Sequence, residues 1–251
     1  MKLDLAAKVA LVTGSSKGIG LTIAQTLQAE GCRVALNARN ADKLTAATEQ
    51  LTGAIGVVGD VTQPSAARRV VEQVLTTFGR LDILVCNVGS GSSVHPGNES
   101  SEEWQRVFAV NLWSTTNTVE AAGEALHASG GAIVCISSIC GLEVIPEAPI
   151  TYSTAKAALH AYVRGMARPL GTRGVRINAV APGNILFGGS VWEKKIKDNE
   201  SAVRSMLEKE VSLGRFGHPR DVANLVAYLA SPRSGFVTGS VWTVDGGQVH
   251  S

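Results

Sequence analysis

The sequence has little charge, no long apolar run and few cysteines, and each shortage excludes a class of protein. Charged residues make up 18% of the 251 residues, the net charge is +2, and the lysines and arginines are scattered. A nucleic-acid-binding face would carry a basic stripe, so no nucleic-acid partner is expected. No apolar run is long enough to span a membrane. The acidic start leads directly into a strand, so no secretory signal peptide is expected.

The four cysteines, Cys32, Cys86, Cys135 and Cys140, do not follow the spacing of a zinc site. Three of them lie in or beside apolar runs, where a reduced cysteine behaves as a small hydrophobic residue. We therefore expect a cytoplasmic protein without disulfides. Cys140 follows Ser138 by two residues, so both packing and reactivity stay open for it. The five histidines also lack ligand spacing, and no metal site is predicted.

Apolar runs alternate with helical patterns along the whole chain. Hydrophobic residues make up 45% of the sequence, which suits a sizeable buried core. The predicted strands are 9–13, 33–38, 55–59, 81–86, 132–137, 175–180 and 240–244. The predicted helices cover 23–28, 42–51, 64–78, 102–127, 150–170 and 218–229. This alternation without a linker predicts one α/β domain, residues 1–251, with a parallel sheet covered on both faces.

Unusual loops follow most of these strands. The glycine turn after the first strand, Asp60, Asn87, Ser138 and Pro182 each stand at the carboxyl end of a strand. Ligands of parallel sheets gather at that edge, so these loops predict the functional site.

Residues 184–211 interrupt the alternation. The Gly188-Gly189 pair could hinge this segment and Trp192 could anchor it, which favours a lid over a substrate pocket. A helical excursion on the surface is the alternative. The lysine cluster 194–197 is best interpreted as solvated.

The glycine turn reads Gly14-Ser-Ser-Lys-Gly18-Ile-Gly20 and lies between an apolar run and a helical pattern. Glycines let backbone N–H groups approach a phosphate, and the following helix presents its positive N-terminal end. The turn therefore predicts a pyrophosphate site. A tight turn without a ligand has a similar pattern, and the G-x-x-x-G-x-G spacing leaves that alternative open.

Tyr152 and Lys156 are four residues apart in a helical pattern, so both lie on one helix face. A nearby ammonium stabilises tyrosinate, and we expect the pKa of Tyr152 to fall from about 10 toward neutral. Tyr152 would then donate or accept a proton near pH 7. Ser138 could direct a hydroxyl at the same substrate oxygen. A half-buried tyrosine beside a solvated lysine is the alternative.

Eight short motifs occur together in one order. They are 13–20 (TGSSKGIG), 60–61 (DV), 87–89 (NVG), 110–111 (VN), 138–141 (SICG), 152–156 (YSTAK), 182–183 (PG) and 214–223 (GRFGHPRDVA). Together they resemble the short-chain dehydrogenase/reductase family over essentially the whole chain. The resemblance implies a Rossmann-like, doubly wound parallel sheet of about seven strands that binds a nicotinamide dinucleotide.

The resemblance also implies a role for each motif residue. Tyr152 would be the general acid in ketone reduction or the base in alcohol oxidation, and Ser138 would bind the substrate carbonyl. Lys156 would hold the nicotinamide ribose and lower the pKa of Tyr152, and Asn111 would hold a water between Lys156 and bulk solvent. His160, one turn beyond Lys156, is expected to serve packing or a subunit contact. The implied cofactor-binding residues are Gly14, Ser16, Lys17, Ile19, Gly20, Arg39, Asp60, Val61, Asn87, Gly89, Tyr152, Lys156, Pro182, Gly183 and Ile185.

Three features depart from the family pattern. Phe187 stands where the family often has a threonine, and the N-N-A-G turn reads C-N-V-G at 86–89. The interval from Ser138 to Tyr152 is one residue longer than the common one. These departures bear on the substrate and on the geometry at the nicotinamide.

The predicted function is hydride transfer between NADP(H) and a ketone or secondary alcohol of a small molecule. Ala38 stands where an acid would repel a 2′-phosphate, and Arg39 and Lys17 supply cations, which predicts NADP(H) over NAD(H). A solvated Arg39 is the alternative. A 3-oxoacyl-carrier-protein reductase is the second candidate, although Arg173 fills only one of the two basic places at which those enzymes dock a carrier. A nucleotide sensor without catalysis on the same fold is the third candidate.

The resemblance further implies a homotetramer, joined through the helices of 102–127 and 150–170 and through the last strand. The expected partner is a small-molecule carbonyl or alcohol, with no nucleic acid and no membrane. The expected location is the cytoplasm.

Overall fold

The computed structural model describes residues 2–249, and its centre is a seven-stranded parallel sheet. The strands are β1 (Val9–Val12), β2 (Arg33–Ala38), β3 (Ile55–Val58), β4 (Ile83–Cys86), β5 (Ala132–Ile136), β6 (Arg176–Pro182) and β7 (Val241–Val244). Their order is β3-β2-β1-β4-β5-β6-β7, and every neighbouring pair is parallel. The predicted Rossmann-like, doubly wound sheet of seven strands is confirmed.

Helices cover both faces of this sheet. They are α1 (Gly18–Ala29), α2 (Ala41–Thr48), α3 (Pro64–Phe78), α4 (Ser101–Phe108), α5 (Ser114–Ser129), α6 (Ile150–Gly171), α7 (Val191–Glu210) and α8 (Pro219–Ala230). Apolar side chains of α1, α2 and α8 form one core with the sheet. Those of α3, α5 and α6 form a second core with it. Both faces of the sheet are therefore buried, as predicted.

The strand β1 shows why the sequence forms two cores. All four of its residues are buried. Ala10 and Val12 belong to the core with α1, whereas Val9 and Leu11 belong to the core with α3. Successive side chains of a strand point to opposite faces, so a strand with helices on both sides must be apolar throughout.

The predicted helix 102–127 is divided in the structure, which corrects that prediction. A π-helical turn, Ala109–Trp113, separates α4 from α5. Asn111 lies in this turn, and its Nδ2 donates to the carbonyl oxygens of Ser90 and Val107, both at 3.0 Å. π-helical turns often occur at functional sites. Hydrophobic periodicity does not indicate this insertion, because the flanking helices continue in nearly the same pattern.

Apart from the start of α1, which lies five residues before the predicted one, the other predicted limits agree with the structure within three residues. Two differences bear on function. α1 begins at Gly18, inside the glycine turn, and β6 continues to Pro182, so both reach the carboxyl edge of the sheet.

Residues 184–211 contain α7, whose backbone is non-helical at Asn199. A short parallel bridge joins Ile185 to Gly217, and the ring centres of Trp192 and Phe216 are 5.4 Å apart. Trp192 therefore packs against Phe216, and the lid over a substrate pocket stays a prediction. Among residues 2–249, every helix is too short or too polar to cross a membrane.

Candidate active site

The carboxyl edge of the sheet collects the predicted site residues. Tyr152 and Lys156 lie in the first two turns of α6, and Asn111 lies in the π-helical turn. The other members follow the ends of the strands: Gly14, Ser16, Lys17, Ile19 and Gly20 after β1, Arg39 after β2, Asp60 and Val61 after β3, Asn87 and Gly89 after β4, Ser138 after β5, and Pro182, Gly183 and Ile185 at the end of β6.

The glycine turn after β1 presents backbone donors. Gly14 and Gly18 have φ values of 62° and 57°, in the region that suits glycine. Within the described part of the chain, no side chain caps the first turn of α1. The N–H groups at this helix end therefore suit an anion, and the positive end of the helix favours it further. This donor set fits the pyrophosphate of a dinucleotide.

Gly20 and Asn87 join the loops after β1 and β4. Asn87 Nδ2 donates to Thr13 O at 3.1 Å and to Gly14 O at 2.9 Å. A Cβ built on Gly20 would collide with Asn87 Nδ2 and would lie 2.6 Å from Gly14 O. Val88, where this sequence departs from the family turn, also packs on Gly14, because its Cγ2 is 3.1 Å from the position of a Cβ there. The two loops are therefore fixed to each other without room for larger side chains.

The end of β2 holds a cation that is already paired. Arg39 Nη1 lies 3.6 Å from Asp60 Oδ2, and the Arg39 side chain is 70% exposed. The sequence predicts only cations, Arg39 and Lys17, at this end of the site, but the loop after β3 also brings the Asp60 carboxylate beside Arg39. Lys17 Nζ lies near the 184–211 segment, since a Cβ built on Gly189 would be 3.6 Å from it. Arg39 therefore stands at this end of the site in an exposed ion pair, a type that contributes little stability.

Ser138, Tyr152 and Lys156 converge between β5 and α6. The Ser138 hydroxyl oxygen accepts the N–H of Cys140 at 3.2 Å, and the hydroxyl is hydrogen-bonded to the Tyr152 phenol, an interaction that lowers the pKa of Tyr152. Lys156 Nζ donates to Ile136 O at 3.0 Å and lies 5.8 Å from the centre of the Tyr152 ring. The predicted placement of the tyrosine and the lysine on one helix face is confirmed.

The expected fall in the pKa of Tyr152 is wrong for this arrangement. Burial of the phenol raises the pKa of Tyr152 to about 12, against the opposing effect of the Ser138 hydrogen bond. Burial also lowers the pKa of Lys156 to about 8. Both shifts have one physical cause, because an environment with little water disfavours the charged form of each group. Tyr152 therefore holds its proton at neutral pH, as a general acid must before it reacts.

Asn111 holds the loop after β4, and Lys156 lies near the same loop. Asn111 is buried, and its Oδ1 accepts the N–H of Ser90 at 3.0 Å. A Cβ built on Gly89 would lie 3.2 Å from Asn111 Oδ1 and 3.2 Å from Lys156 Nζ. A side chain at position 89 would therefore crowd both of these polar groups, and glycine leaves them space.

Sequence reasoning missed the loop that lies against Tyr152. A Cβ built on Gly91 would lie 4.0 Å from the Tyr152 ring. Ser93 Oγ donates to Glu103 Oε1 at 2.6 Å and lies 2.7 Å from Thr151 Oγ1. These bonds hold the loop against α4 and the first turn of α6, so it forms a wall beside the phenol. The small polar residues of the loop were visible in the sequence, but no spacing indicated this contact.

Phe187 lies on the glycine turn. A Cβ built on Gly18 would lie 2.6 Å from Phe187 Cε2. The carbonyl of Phe187 accepts the N–H of Ser190 at 3.0 Å, which holds the start of α7 beside it. The departure from the family pattern therefore joins the base of the 184–211 segment to the N-terminus of α1.

The site contains no cluster of metal-binding side chains within residues 2–249, and Cys140 lies in the turn that follows Ser138. Among residues 2–249, no group of three or more His, Cys, Asp or Glu side chains could hold a metal ion. All four cysteines are free; Cys32, Cys86 and Cys135 are buried, as predicted, and Cys140 is half-buried. Burial raises the pKa of Cys140 and so disfavours its thiolate, which favours packing over reactivity.

Known proteins match the chain over its whole length. The family profile described as enoyl-(acyl carrier protein) reductase matches residues 14–249. The L-rhamnose 1-dehydrogenase (NAD(P)(+)) of Sphingomonas sp. (strain SKA58) is 36% identical over 254 residues, with 98% of each chain covered. The 3-oxoacyl-[acyl-carrier-protein] reductase of Escherichia coli (strain K12) is 32% identical over 247 residues, also with 98% of each covered. The crystal structure of L-sorbose reductase from Gluconobacter frateurii, complexed with NADPH and L-sorbose, superposes with a TM-score of 0.94 at 32% identity and covers 100% of both chains.

Proposed function

The chain belongs to the short-chain dehydrogenase/reductase family, and from that premise we propose that it transfers a hydride between NADP(H) and a ketone or secondary alcohol of a small molecule. The observation that carries the proposal is the convergence of Ser138, Tyr152 and Lys156 at the sheet edge that also holds the glycine turn. With all of these groups in place, a nucleotide sensor without catalysis is the less favoured function.

In this proposal, NADP(H) supplies the hydride for reduction or accepts it in oxidation. Ser138 donates a hydrogen bond to the substrate oxygen, and Tyr152 donates its proton to that oxygen as negative charge develops there. Lys156 holds the nicotinamide ribose, and its ammonium stabilises the phenolate that proton donation leaves. Asn111 holds a water between Lys156 and solvent, through which the proton of Tyr152 is restored.

The remaining predicted residues form the dinucleotide site. Backbone N–H groups of the glycine turn hold the pyrophosphate, because the first turn of α1 presents its donors there. The residues assigned to this turn are Gly14, Ser16, Lys17, Ile19 and Gly20, and those of the later loops are Arg39, Asp60, Val61, Asn87, Gly89, Pro182, Gly183 and Ile185.

A preference for NADP(H) over NAD(H) is proposed from the end of β2. The strand ends at Ala38, so no carboxylate of its last residue repels a 2′-phosphate. A phosphate is a better partner for Arg39 than Asp60 is, because the present contact of 3.6 Å is an exposed ion pair. The complex of L-sorbose reductase with NADPH supports a nicotinamide dinucleotide.

A small-molecule substrate is favoured over an acyl carrier protein. Arg173, the one basic residue predicted to meet a carrier, donates to both carboxylate oxygens of Glu124 at 2.8 and 2.9 Å. A guanidinium engaged in this way is less available to an acidic partner. Two relatives are named for L-rhamnose and L-sorbose, so sugars come first among the small molecules to be tested. The 3-oxoacyl-carrier-protein reductase remains the second candidate, supported by the relative from E. coli.

The organisation of the protein is also a proposal. We propose a single cytoplasmic domain, residues 1–251, in which the 184–211 segment closes over the substrate. The homotetramer forms through α4 with α5, through α6 and through β7. Trp242 on β7 is 36% exposed in the single chain, which is consistent with such a contact. A monomer at micromolar concentration in light scattering would contradict the tetramer.

The proposed function is tested by incubating the purified protein with NADPH or NADH and a panel of L-sorbose, diacetyl and an acetoacetyl-acyl carrier protein. Oxidation of NADPH by a small carbonyl supports the proposal. Turnover of the carrier thioester alone would establish the second candidate, and tight cofactor binding without turnover would establish the sensor. Tyr152→Phe should bind NADPH as the wild type does and lose about 10²–10⁴-fold in kcat. If this variant kept more than about a tenth of the wild-type kcat, Tyr152 would not be the general acid.

A further inference from the structure

His160 contacts the chain on both sides of Ser138. Its side chain is 1% exposed. His160 Nε2 lies 2.7 Å from Ser137 Oγ, and His160 Nδ1 lies 3.1 Å from Gly141 O. Ser137 directly precedes Ser138, and Gly141 ends the short helical turn that follows it. Of the two expected roles of His160, a subunit contact is excluded by this burial, and the internal contacts are polar.

We propose that His160 is a positioning residue for Ser138, fixing the turn that aims the Ser138 hydroxyl at the substrate oxygen. This inference rests on the proposed function, because it concerns the hydrogen bond that Ser138 makes in the reaction. His160 itself touches neither the substrate oxygen nor the reacting proton. It acts by holding Ser137 and Gly141, which lie before and after Ser138 in the chain, at a fixed separation.

The two partners determine the tautomer of the ring. A carbonyl oxygen only accepts, so His160 Nδ1 carries the hydrogen and donates it to Gly141 O. Nε2 then has no hydrogen and accepts the hydroxyl of Ser137. Burial lowers the pKa of His160 to about 4, so the ring is neutral at pH 7 and both bonds keep this order. One rigid ring thus joins the end of β5 to the turn after it.

The turn Ile139–Gly141 sets the direction of the Ser138 hydroxyl. The N–H of Cys140 donates to Ser138 Oγ at 3.2 Å, and the N–H of Gly141 donates to Ser138 O at 3.1 Å. Because Ser138 Oγ accepts from Cys140, its own hydrogen points away from this turn, toward the Tyr152 phenol, and in the reaction it would be donated to the substrate oxygen. If Gly141 moved, both of these N–H groups would move with it, and the hydroxyl would lose its direction.

The turn Ile139–Gly141 also packs directly on α6, so the His160 ring lies within contact distance of the turn. A Cβ built on Gly141 would lie 2.6 Å from the carbonyl carbon of Lys156 and 2.8 Å from His160 Cε1. Lys156 and His160 are one helical turn apart on the same face. The helix that carries Lys156 therefore also fixes Ser138, through His160, so that one rigid element relates the two groups.

A double-mutant cycle between His160 and Ser138 tests the proposal. The rate measured is kcat for NADPH oxidation with L-sorbose or diacetyl, whichever is turned over faster. His160→Leu should lower kcat about 10- to 30-fold, part of the loss that follows removal of a donor to a developing oxyanion, with the NADPH Kd changed less than about twofold. In the Ser138→Ala background the same substitution should change kcat less than about twofold, because no hydroxyl remains to be positioned.

Equal losses in the two backgrounds would overturn the proposal, since a general folding defect does not depend on the Ser138 hydroxyl. A wild type without turnover would overturn the proposed function and this inference with it. An active wild type with equal losses overturns this inference alone.

Two further variants separate the bonds of the ring. His160→Asn keeps a donor near the position of Nδ1 and should stay within about threefold of the wild-type kcat, because the Gly141 bond is retained. An asparagine variant as slow as the leucine variant would overturn the role of that bond. Ser137→Ala removes only the other bond and leaves α6 untouched, so its loss should be smaller than that of His160→Leu. In the free protein, ¹⁵N NMR should show hydrogen on Nδ1 of His160, and hydrogen on Nε2 would overturn the hydrogen-bond order.

Discussion

Exchanging two residues at the end of β2 should reverse the cofactor preference. The perturbation is Ala38→Asp together with Arg39→Leu. The new carboxylate can accept hydrogen bonds from an adenosine ribose and repels a 2′-phosphate, and the lost guanidinium no longer binds that phosphate. We expect the wild type to bind NADPH more tightly than NADH and the double variant to do the reverse.

The magnitude follows from the state of Arg39 in the structure. Its side chain is 70% exposed and its contact with Asp60 spans 3.6 Å, so giving up that ion pair costs less than about 1 kcal/mol. A charge-assisted hydrogen bond contributes about 1.5–3 kcal/mol. Arg39→Leu alone should therefore weaken NADPH binding by about ten- to a hundredfold and leave NADH binding nearly unchanged.

The assay is calorimetric titration of both cofactors into the wild type, Arg39→Leu and the double variant. Arg33→Leu is the matched control, because Arg33 is an exposed arginine at the opposite end of the same strand. It should change neither affinity. Equal affinities of the wild type for NADPH and NADH would refute the phosphate-site reasoning, and so would an NADPH affinity that Arg39→Leu leaves unchanged.

Three further predictions follow from the contacts of the site. Gly20→Ala should lower the free energy of unfolding by about 1–3 kcal/mol, because its Cβ would collide with Asn87. The control Gly165→Ala on α6 should not destabilise the protein, because a Cβ there meets nothing within 4 Å. Thermal unfolding of both variants checks this prediction, and equal midpoints would contradict it. Lys156→Ala should both weaken NADPH binding and lower kcat, and a variant that lost only one of the two would not fit a shared role in ribose binding and phenolate stabilisation. Because the pKa of His160 is lowered to about 4 in the folded protein, its contribution to the free energy of unfolding is fully present above pH 6.5 and is lost as pH falls toward 4. This contribution is at most about 3 kcal/mol. Between pH 7 and pH 4, denaturant unfolding should show a smaller decrease in the free energy of unfolding for His160→Leu than for the wild type.

The sequence by itself determined the layers of the fold and the place of the candidate site. A strand such as β1, apolar at every position, can be buried only between two helix layers, and this requirement is local to the chain. The glycine turn and the four-residue spacing of Tyr152 and Lys156 are local as well, since a helix fixes which side chains share a face. Parallel strands then bring their carboxyl ends to one edge, so the loops that carry these residues had to meet there.

Tertiary structure alone decided which groups touch and what charge they carry. Several contacts of the site join residues far apart in sequence. They are the ion pair of Arg39 with Asp60, the packing of the Phe187 ring on Gly18, and the hydrogen bonds of His160 to Ser137 and Gly141. The rise in the pKa of Tyr152 likewise depends on burial, which exceeds the opposing effect of the Ser138 hydrogen bond. The physical reason is the same in each case. Spacing along a chain fixes the direction of a side chain within its own element, whereas distances to other elements and the exclusion of water arise only when those elements pack.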